Sequence, residues 1–415
     1  MRFFAARVER ATPPDRDRAV DGLRALAVLG VVLGHWLVTA LVSDSGGLHG
    51  ASPLQHLPYL TPVSWVFQTL AVFFFVGGRV GSLSWEAARA KGVPYRRWLG
   101  ARLARLFRPV AALLVVWAVA AVVALCCGAE AGTLHVLLKL VVSPLWFLLV
   151  FAGLTAATPF AARLHPLWPL AVVLHIDLLR FGLGTLSGAT GGGAGPGWAD
   201  GLGRVNVLAG WLVPYCLGAR WARGELDGRR AGLVLLLGGA GASALLIALG
   251  GYPASMVGVP GGAVSNLDPP TLAAVAFGLA QCGGALLLVG PLRRRLRRPL
   301  AWAAVALLNL STMTVFLWHQ TAMMTVTVSA LRLGGPLPGL HTVPDGPGWV
   351  LARLLWLPVF AFALLLCWAA FRTYEQGRRG PNRGAASVRT AQVTLTTRVV
   401  RRGRPTTGPE RGGHG

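Results

Sequence analysis

Apolar residues recur along the chain in runs of roughly 20, the length of helix that crosses a hydrocarbon core of about 30 Å. In lipid such runs must be helical, because a helix satisfies its own backbone donors and acceptors. The pattern therefore predicts an all-α, polytopic integral membrane protein. Its ten predicted transmembrane helices cover residues 19–42, 61–83, 108–128, 143–162, 167–187, 204–221, 231–250, 271–291, 300–325 and 349–371.

Basic residues alternate along this series of spans. They are concentrated in five segments, namely 2–18, 89–108, 220–230, 293–298 and the part of the chain after 371. By contrast, the connections 43–60 and 251–270 contain no Lys or Arg, and 129–142 contains only Lys139. Because cytoplasmic loops of membrane proteins carry the excess of Lys and Arg, the alternation predicts that both termini are cytoplasmic.

The composition supports the same class. Only 13% of the 415 residues are charged and 54% are hydrophobic, whereas a soluble domain has about a quarter charged residues. The net charge of +24 would indicate nucleic-acid binding in a soluble protein. Here the charge lies between spans and in the tail, so positive-inside anchoring explains it and nucleic acid is not a predicted partner. The cysteines show no metal-ligand spacing and acidic residues are sparse, so no metal site is predicted.

The first span contains the pattern most suggestive of chemistry. His35 follows Arg24 by eleven positions; at 100° and 1.5 Å per residue, both side chains lie within about 20° of one helix face and about 16 Å apart. An ionisable side chain deep in a membrane indicates a functional site, and an imidazole there suits a general base. Two structural alternatives stay open: His35 bonded to a neighbouring helix, and Arg24 extending to the interface, paired with Asp21.

A second pattern precedes the third span. Arg102, Arg105 and Arg108 recur at every third position and predict a basic stripe. Guanidinium groups suit phosphate recognition, so a nucleotide or coenzyme A could bind there, although taken alone the stripe is better explained by positive-inside anchoring and lipid headgroups. Other polar residues inside spans are weaker candidates: His319 beside Trp318, which could line a substrate cavity or only pack, and the group His175, Asp177 and Arg180.

Several segments together resemble acyltransferase family 3, bacterial membrane proteins that O-acylate sugars and lipids. The segment 21–36 fits the family's R-x(10)-H signature at Arg24 and His35. The other matching segments follow in the family's order and are FFFVGG (73–78), RLARLFRP (102–109), PLWFLLVF (144–151) and VFLWH (315–319). The resemblance covers most of residues 18–372. Arg79, directly after FFFVGG, departs from the apolar or small residue expected there.

The resemblance implies an acyl-CoA donor on the cytoplasmic side and a hydroxyl acceptor on a sugar, lipid-linked glycan or small molecule. Arg24 and His35 would be essential, with His35 taking the proton of the acceptor hydroxyl. Arg102, Arg105 and Arg108 would bind the phosphates of the coenzyme. The implied location is the bacterial inner or plasma membrane, in contact with its lipids.

The chain is thus predicted to comprise a basic N-terminal segment (1–18), a transmembrane acyltransferase domain (19–372) and a disordered basic tail (373–415). Two other functions stay open. A transporter or flippase would use the same polar face as a conduction path, although the sequence shows no paired carboxylates, broken helices or repeats. A silent scaffold would use the basic tail to recruit partners.

Overall fold

The computed structural model describes residues 2–44, 47–186, 201–226, 228–262 and 264–376. About three-quarters of these residues are helical. The helices are α1 (Arg2–Ala11), α2 (Arg18–Val38), α3 (Pro53–His56), α4 (Thr61–Ser64), α5 (Leu70–Ala90), α6 (Tyr95–Cys126), α7 (Ala131–Val142), α8 (Leu145–Ala156), α9 (Thr158–Ala161), α10 (Leu167–Leu186), α11 (Val205–Ala222), α12 (Arg229–Leu249), α13 (Leu272–Arg295), α14 (Pro299–Leu310), α15 (Thr312–Gly334) and α16 (Pro347–Gln376).

The helical membrane-spanning character is confirmed. Within the described residues, six helices are long and apolar enough to cross a membrane, or seven if α14 and α15 form one bent span. The six are α2, α6, α7 with α8, α12, α13 and α16. The remaining predicted spans fall on α5, α10 and α11, which are 18 to 21 residues long. Each predicted span therefore lies on a helix, while the count of ten stays a prediction.

The first span ends earlier than predicted. Helix α2 stops at Val38, and the chain continues as an antiparallel hairpin of β1 (Ala40–Asp44) and β2 (Gly47–Ala51), with Ala40 paired to Ala51. The buried guanidinium of Arg353 explains the stop: it donates to the carbonyl oxygens of Trp36 and Thr39, at 2.6 Å each. A tertiary contact, invisible in the local pattern, thus caps the helix.

The second span begins later than predicted, at Leu70 rather than 61. Residues 58–64 form a 3₁₀ turn and the short helix α4, each with a proline in its first turn. Thr69 then donates to the carbonyl oxygen of Ala27 at 2.7 Å, at the point where the chain passes against α2. The close approach depends on Gly30, where an added Cβ would lie 2.6 Å from the Thr69 side chain.

The arginine-rich connection before the third span is helical rather than a loop. Helix α5 continues to Ala90 and α6 begins at Tyr95, so only four residues, 91–94, separate them. Pro109 is accommodated inside α6. The predicted stripe of Arg102, Arg105 and Arg108 therefore lies on the first turns of a 32-residue helix that continues as an apolar span.

The ninth predicted span, 300–325, is broken. Helices α14 and α15 meet at Ser311 with a bend of 74°. Side-chain bonds to the backbone accompany the break: Thr312 donates to the carbonyl oxygens of Leu308 and Asn309, and Trp368 donates to Ser311 Oγ at 2.6 Å. Such local bonds compete with regular helix hydrogen bonding. This break places Asn309 and the start of α15 against α2.

Glycine contacts hold the helices around α2 close together. An added Cβ at Gly78 of α5 would lie 2.0 Å from the carbonyl oxygen of Tyr215 in α11, and one at Gly218 would lie 1.9 Å from that of Phe75. Larger residues cannot fit at either position without moving backbone. The tight pair fixes Phe75 stacked on Trp221, with ring centroids 5.0 Å apart. In the predicted tail, 373–376 continue α16, and 377–415 lie outside the described residues.

Candidate active site

Arg24 lies on the second turn of α2, near the start of the helix. Asp17 caps this start by accepting from the Ala19 N–H at 3.2 Å. The Arg24 Nε donates to Asn309 Oδ1 at 2.5 Å, and Nη2 lies 3.3 Å from Asp21 Oδ1. Its side chain keeps 29% of its surface exposed. The predicted pairing with Asp21 is confirmed, and the contact with α14 is an addition that the sequence pattern did not show.

Asp21 is shared between two arginines. Arg16 donates to both of its carboxylate oxygens, at 2.6 and 3.1 Å, while Arg24 contacts one of them. The carboxylate is 10% exposed. Arg16, Asp21 and Arg24 therefore form a cluster of two cations and one anion.

His35 lies three turns further along α2 and is half-buried. Its Nδ1 is 3.1 Å from the side-chain Nε2 of Gln320, and its ring centroid is 5.1 Å from that of His319, at an interplanar angle of 44°. Both partners belong to α15. The alternative in which His35 bonds to a neighbouring helix is therefore realised, and it coexists with a position beside a second imidazole.

The residues that Arg24 and His35 contact have the same spacing along the neighbouring chain segment as Arg24 and His35 have along α2. Asn309 and Gln320 are separated by eleven residues, as are Arg24 and His35. The same face of α2 therefore contacts one continuous segment, which starts before the break at Ser311 and ends in α15. The Asn309 Nδ2 adds a bond to the carbonyl oxygen of Asp21 at 2.8 Å. The break and the register together align the polar residues of two chain segments.

His319 is fully buried beside His35. Its Nδ1 is 2.6 Å from the carbonyl oxygen of Phe316, and its Nε2 has no hydrogen-bond partner within the described part of the chain. Its own carbonyl oxygen accepts from the Trp36 Nε1 at 3.0 Å. Gln320 Oε1 is likewise buried and has no partner among the residues that the structure describes.

Arg353 of α16 anchors the far end of the site. Its side chain is 1% exposed, and its guanidinium donates to the carbonyl oxygens of Trp36, Gly339 and Thr39 at 2.6, 2.9 and 2.6 Å. It also lies over the ring of Phe360, 4.8 Å from the centroid. Because Trp36 follows His35 directly, Arg353 fixes the backbone beside the imidazole.

The three arginines of the predicted coenzyme stripe differ in exposure. Arg102 is half-buried, with its guanidinium 5.2 Å from the Trp98 ring centroid and its Nε without a partner in the described chain. Arg105 and Arg108 are exposed, and the Arg105 Nε donates only to the carbonyl oxygen of Ala101 in its own helix. Among the described residues, none of the three forms an ion pair with a carboxylate.

Helix α6 connects this stripe to the level of the histidines. The Trp117 Nε1 donates to Thr321 Oγ1 at 3.0 Å, and Thr321 directly follows Gln320. Arg102 precedes Trp117 by fifteen residues, which corresponds to about 22 Å of helix. The stripe thus lies at one end of a helix whose middle packs at the depth of His35 and His319.

The other predicted candidates lie apart from this site. Asp177 is buried and accepts from Asn206, Tyr252 and the backbone N–H of Leu272, at 3.0, 3.1 and 2.7 Å, while Arg180 is 3.9 Å away. Asp177 and Arg180 of this group thus form an ion pair. These bonds join α10, α11 and the start of α13, so the role of Asp177 is to hold helices together. His175 is exposed.

Arg79 is the departure noted after the FFFVGG segment. It donates to the carbonyl oxygen of Trp221 at 2.9 Å, lies over the ring of that residue at 4.1 Å, and is 3.5 Å from Asp17. It therefore joins α5, α11 and the cap of α2. No group of three or more His, Cys, Asp or Glu residues that could hold a metal ion occurs in the described parts of the chain.

These features define a helical membrane protein in which a polar face of the first long helix meets the segment around a helix break. A family model described as an acyltransferase domain, that of acyltransferase family 3, matches residues 17–372. The chain belongs to this family, and the resemblance identified from its motifs is confirmed. No curated protein and no solved structure matches the chain.

Sequence reasoning missed three residues of the site: Asn309, Gln320 and Arg353. Each is a polar side chain inside a predicted span, and a polar residue at that depth was the available signal. The arginine of the last span was the clearest case, because burying its charge requires several partners.

Proposed function

We propose that the protein is a membrane-embedded O-acyltransferase. It moves an acetyl or other short acyl group from cytoplasmic acyl-CoA to a hydroxyl of a sugar, lipid-linked glycan or small molecule. The observation that carries the proposal is the location of His35, half-buried on the polar face of α2, beside His319 and Gln320 and in register with Arg24.

In the proposed reaction, His35 is the general base. It takes the proton of the acceptor hydroxyl, and the oxygen attacks the thioester carbonyl carbon. The carbon–sulfur bond then breaks, and the leaving sulfur takes the proton from the imidazolium to give the free coenzyme thiol. The net change is one ester formed and one thioester consumed, with no oxidant or metal required.

Arg24 assists by charge and by geometry. It lies about 16 Å before His35 along the helix, which puts it toward the cytoplasmic end in the predicted orientation. Its guanidinium binds both Asp21 and Asn309, so it holds α2 against the broken segment that carries Gln320. Its exposed part is available to a polar group of the bound donor.

Arg102, Arg105 and Arg108 are proposed to bind the phosphates of the coenzyme. Guanidinium groups form bidentate bonds with phosphate, and the half-buried Arg102 has an Nε that lacks a partner in the described chain. Since α6 continues from this stripe to the level of Thr321, an extended donor lying along it would present its thioester near His35.

The proposed topology has ten spans, with both termini in the cytoplasm of a bacterial cell. In that orientation α2 and α6 both begin on the cytoplasmic side. Arg24 and the stripe then share the compartment that supplies acyl-CoA, and the positive-inside distribution of arginine supports this arrangement.

A transporter or flippase is the alternative function, and one observation favours it. Broken helices are a feature of transporter binding sites, and the 74° break at Ser311 supplies one. The predicted absence of broken helices is therefore wrong. Family membership and the His35 site favour acyl transfer.

Mass spectrometry of the glycans and lipids of the host, with and without the gene, tests the proposal directly. Acyl transfer predicts a species that loses one acyl mass when the gene is deleted, which also identifies the acceptor. Restoring the gene with His35→Ala should leave the acyl group missing although the protein inserts normally. Purified protein that moves the substrate across vesicles without consuming acyl-CoA would establish transport instead.

A further inference from the structure

Two buried acceptor atoms beside His35 have no donor. They are Nε2 of His319 and Oε1 of Gln320, on residues that are 0% and 2% exposed, and neither has a partner within the described chain. Buried polar atoms of proteins almost always have a hydrogen-bond partner. Two unpaired acceptors next to one imidazole therefore indicate that a donor joins them at some stage of the reaction.

The bond pattern of His319 defines which nitrogen is available. A carbonyl oxygen only accepts, so the 2.6 Å contact with Phe316 requires the proton of neutral His319 on Nδ1. Its Nε2 then carries a lone pair and can accept a hydrogen bond. The ring of His35 is 5.1 Å away between centroids, and a modest rotation of the half-buried His35 would bring an N–H of its ring edge toward this lone pair.

Gln320 presents one amide atom to His35 at 3.1 Å, and the other is unpaired. The two ends of an amide have nearly the same shape, and which end faces a histidine depends on the proton that the histidine carries. With Oε1 turned toward His35, the amide accepts from Nδ1–H and leaves Nε2 of His35 free to act as the base.

Resting on the proposed function, we propose that His319 and Gln320 are positioning residues that stabilise the imidazolium of His35 during acyl transfer. A neutral imidazole has one N–H, whereas an imidazolium has two. Only the protonated ring can donate to both acceptors at once. Both acceptors therefore stabilise the imidazolium of His35 more than its neutral ring in the resting enzyme. Stronger binding of the charged state is the requirement for lowering the reaction barrier.

The proton balance is simple. The acceptor hydroxyl gives its proton to Nε2 of His35 as its oxygen attacks the thioester. While the imidazolium exists, Gln320 Oε1 accepts from Nδ1–H and His319 Nε2 accepts from Nε2–H. The same Nε2 proton then passes to the leaving sulfur. His319 Nε2 is then unpaired again, while Gln320 Oε1 still accepts from the Nδ1–H of neutral His35.

A matched pair of substitutions separates this role from packing. His319→Asn keeps an amide near the Nδ1 position, able to donate to Phe316, but has no atom at the Nε2 position. His319→Gln extends a carbonyl oxygen toward the Nε2 position, so it can still accept from the imidazolium. Neither change touches the backbone carbonyl of His319 that accepts from Trp36.

The assay uses the full-length protein in vesicles, ¹³C-acetyl-CoA as donor and membranes of the gene-deleted host as the source of acceptor. A hydrogen bond to a charged group corresponds to about a 10- to 100-fold change in rate. We expect His319→Asn to lower kcat by that factor at unchanged KM for acetyl-CoA, and His319→Gln to recover a measurable part of the loss. Equal kcat values for the His319→Asn and His319→Gln variants, or a wild-type kcat for His319→Asn, would overturn the inference.

Gln320 provides an independent test where a His319 variant fails to fold. Gln320→Glu keeps the shape, and its ionised carboxylate only accepts, so it should retain most of the turnover, whereas Gln320→Met should lose about 10-fold or more. Wild-type kcat for Gln320→Met would contradict the inference. A wild-type protein that transfers no label would defeat the proposed function itself, whereas an inactive His35→Ala beside a fully active His319→Asn would defeat this inference alone.

Discussion

The two ends of α2 are each held by an arginine, and the two arginines differ in kind. Arg24, near the start, is 29% exposed and binds a carboxylate and an amide. Arg353, at the end, is 1% exposed and donates to three carbonyl oxygens and the Met323 sulfur. Its charge faces the negative end of the helix dipole.

The difference in exposure and partners indicates a structural role for Arg353, and the proposed function gives Arg24 a different one. The donors of Arg353 are engaged by the backbone carbonyl oxygens of Trp36, Thr39 and Gly339, so its role is to end α2 and fix the residues after His35. Arg24 shares Asp21 with Arg16 and keeps exposed surface, and the proposed function assigns this surface to binding of the donor.

Arg353→Met should prevent the protein from folding stably. The substitution removes the donors that Arg353 supplies to three carbonyl oxygens, two of them buried, at a cost of about 1–3 kcal/mol each. The thermal unfolding midpoint and the monodispersity of the protein in detergent report the loss. Arg372→Met on the exposed part of the same helix is the matched control and should behave as wild type. A stable Arg353→Met protein would show that α2 ends for another reason.

Arg24→Ala should abolish transfer while the fold persists. Partly exposed ion pairs contribute only about 0–1 kcal/mol to stability, whereas loss of a group that positions the bound donor costs about 100-fold in turnover. Arg16→Ala, which removes the other partner of Asp21, is the control and should retain activity. Turnover and unfolding midpoint are measured on the same preparations. If both substitutions lowered turnover alike, neutralising Asp21 would be the function of Arg24.

Arg102→Gln should raise the KM for acetyl-CoA more than Arg108→Gln does. Arg102 is half-buried and its Nε is unpaired in the described chain, so a bound phosphate would gain a desolvated contact worth roughly a factor of ten. Arg108 is exposed, and its contribution should be small and should fall with salt. KM values at low and high ionic strength test this order. If the two substitutions raised the KM equally, the coenzyme phosphates would not bind at the part of α6 near Trp98.

The sequence predicted the elements that depend on local pattern. Apolar runs located helices at all ten predicted spans, and eleven residues at the helical period put Arg24 and His35 on the face that contacts 309–320. Family motifs added the acyltransferase class. Each of these features follows from spacing along one segment, which a single sequence contains.

The features that were missed depend on contacts between distant segments. Helix α2 ends because Arg353, more than 300 residues later, binds its last carbonyls. The break at Ser311 accompanies bonds from Trp368 and the packing of Asn309 on α2. Gln320 contacts His35 because the broken segment 309–320 packs along α2. No local periodicity encodes these pairings.

The smallest effect is expected for charges outside the described fold. Truncation after Gln376 removes nine arginines, which would attract anionic lipid. Insertion of many apolar helices does not require this attraction, because a spanning helix is held in the membrane far more strongly than a basic segment. We therefore expect kcat and the KM for acetyl-CoA to match those of the full-length protein at high and low salt. Loss of cellular function with unchanged turnover in vesicles would instead support a recruiting role for the tail. Loss of turnover in vesicles would mean that the reaction also uses arginines of the tail, in addition to Arg24 and the stripe on α6.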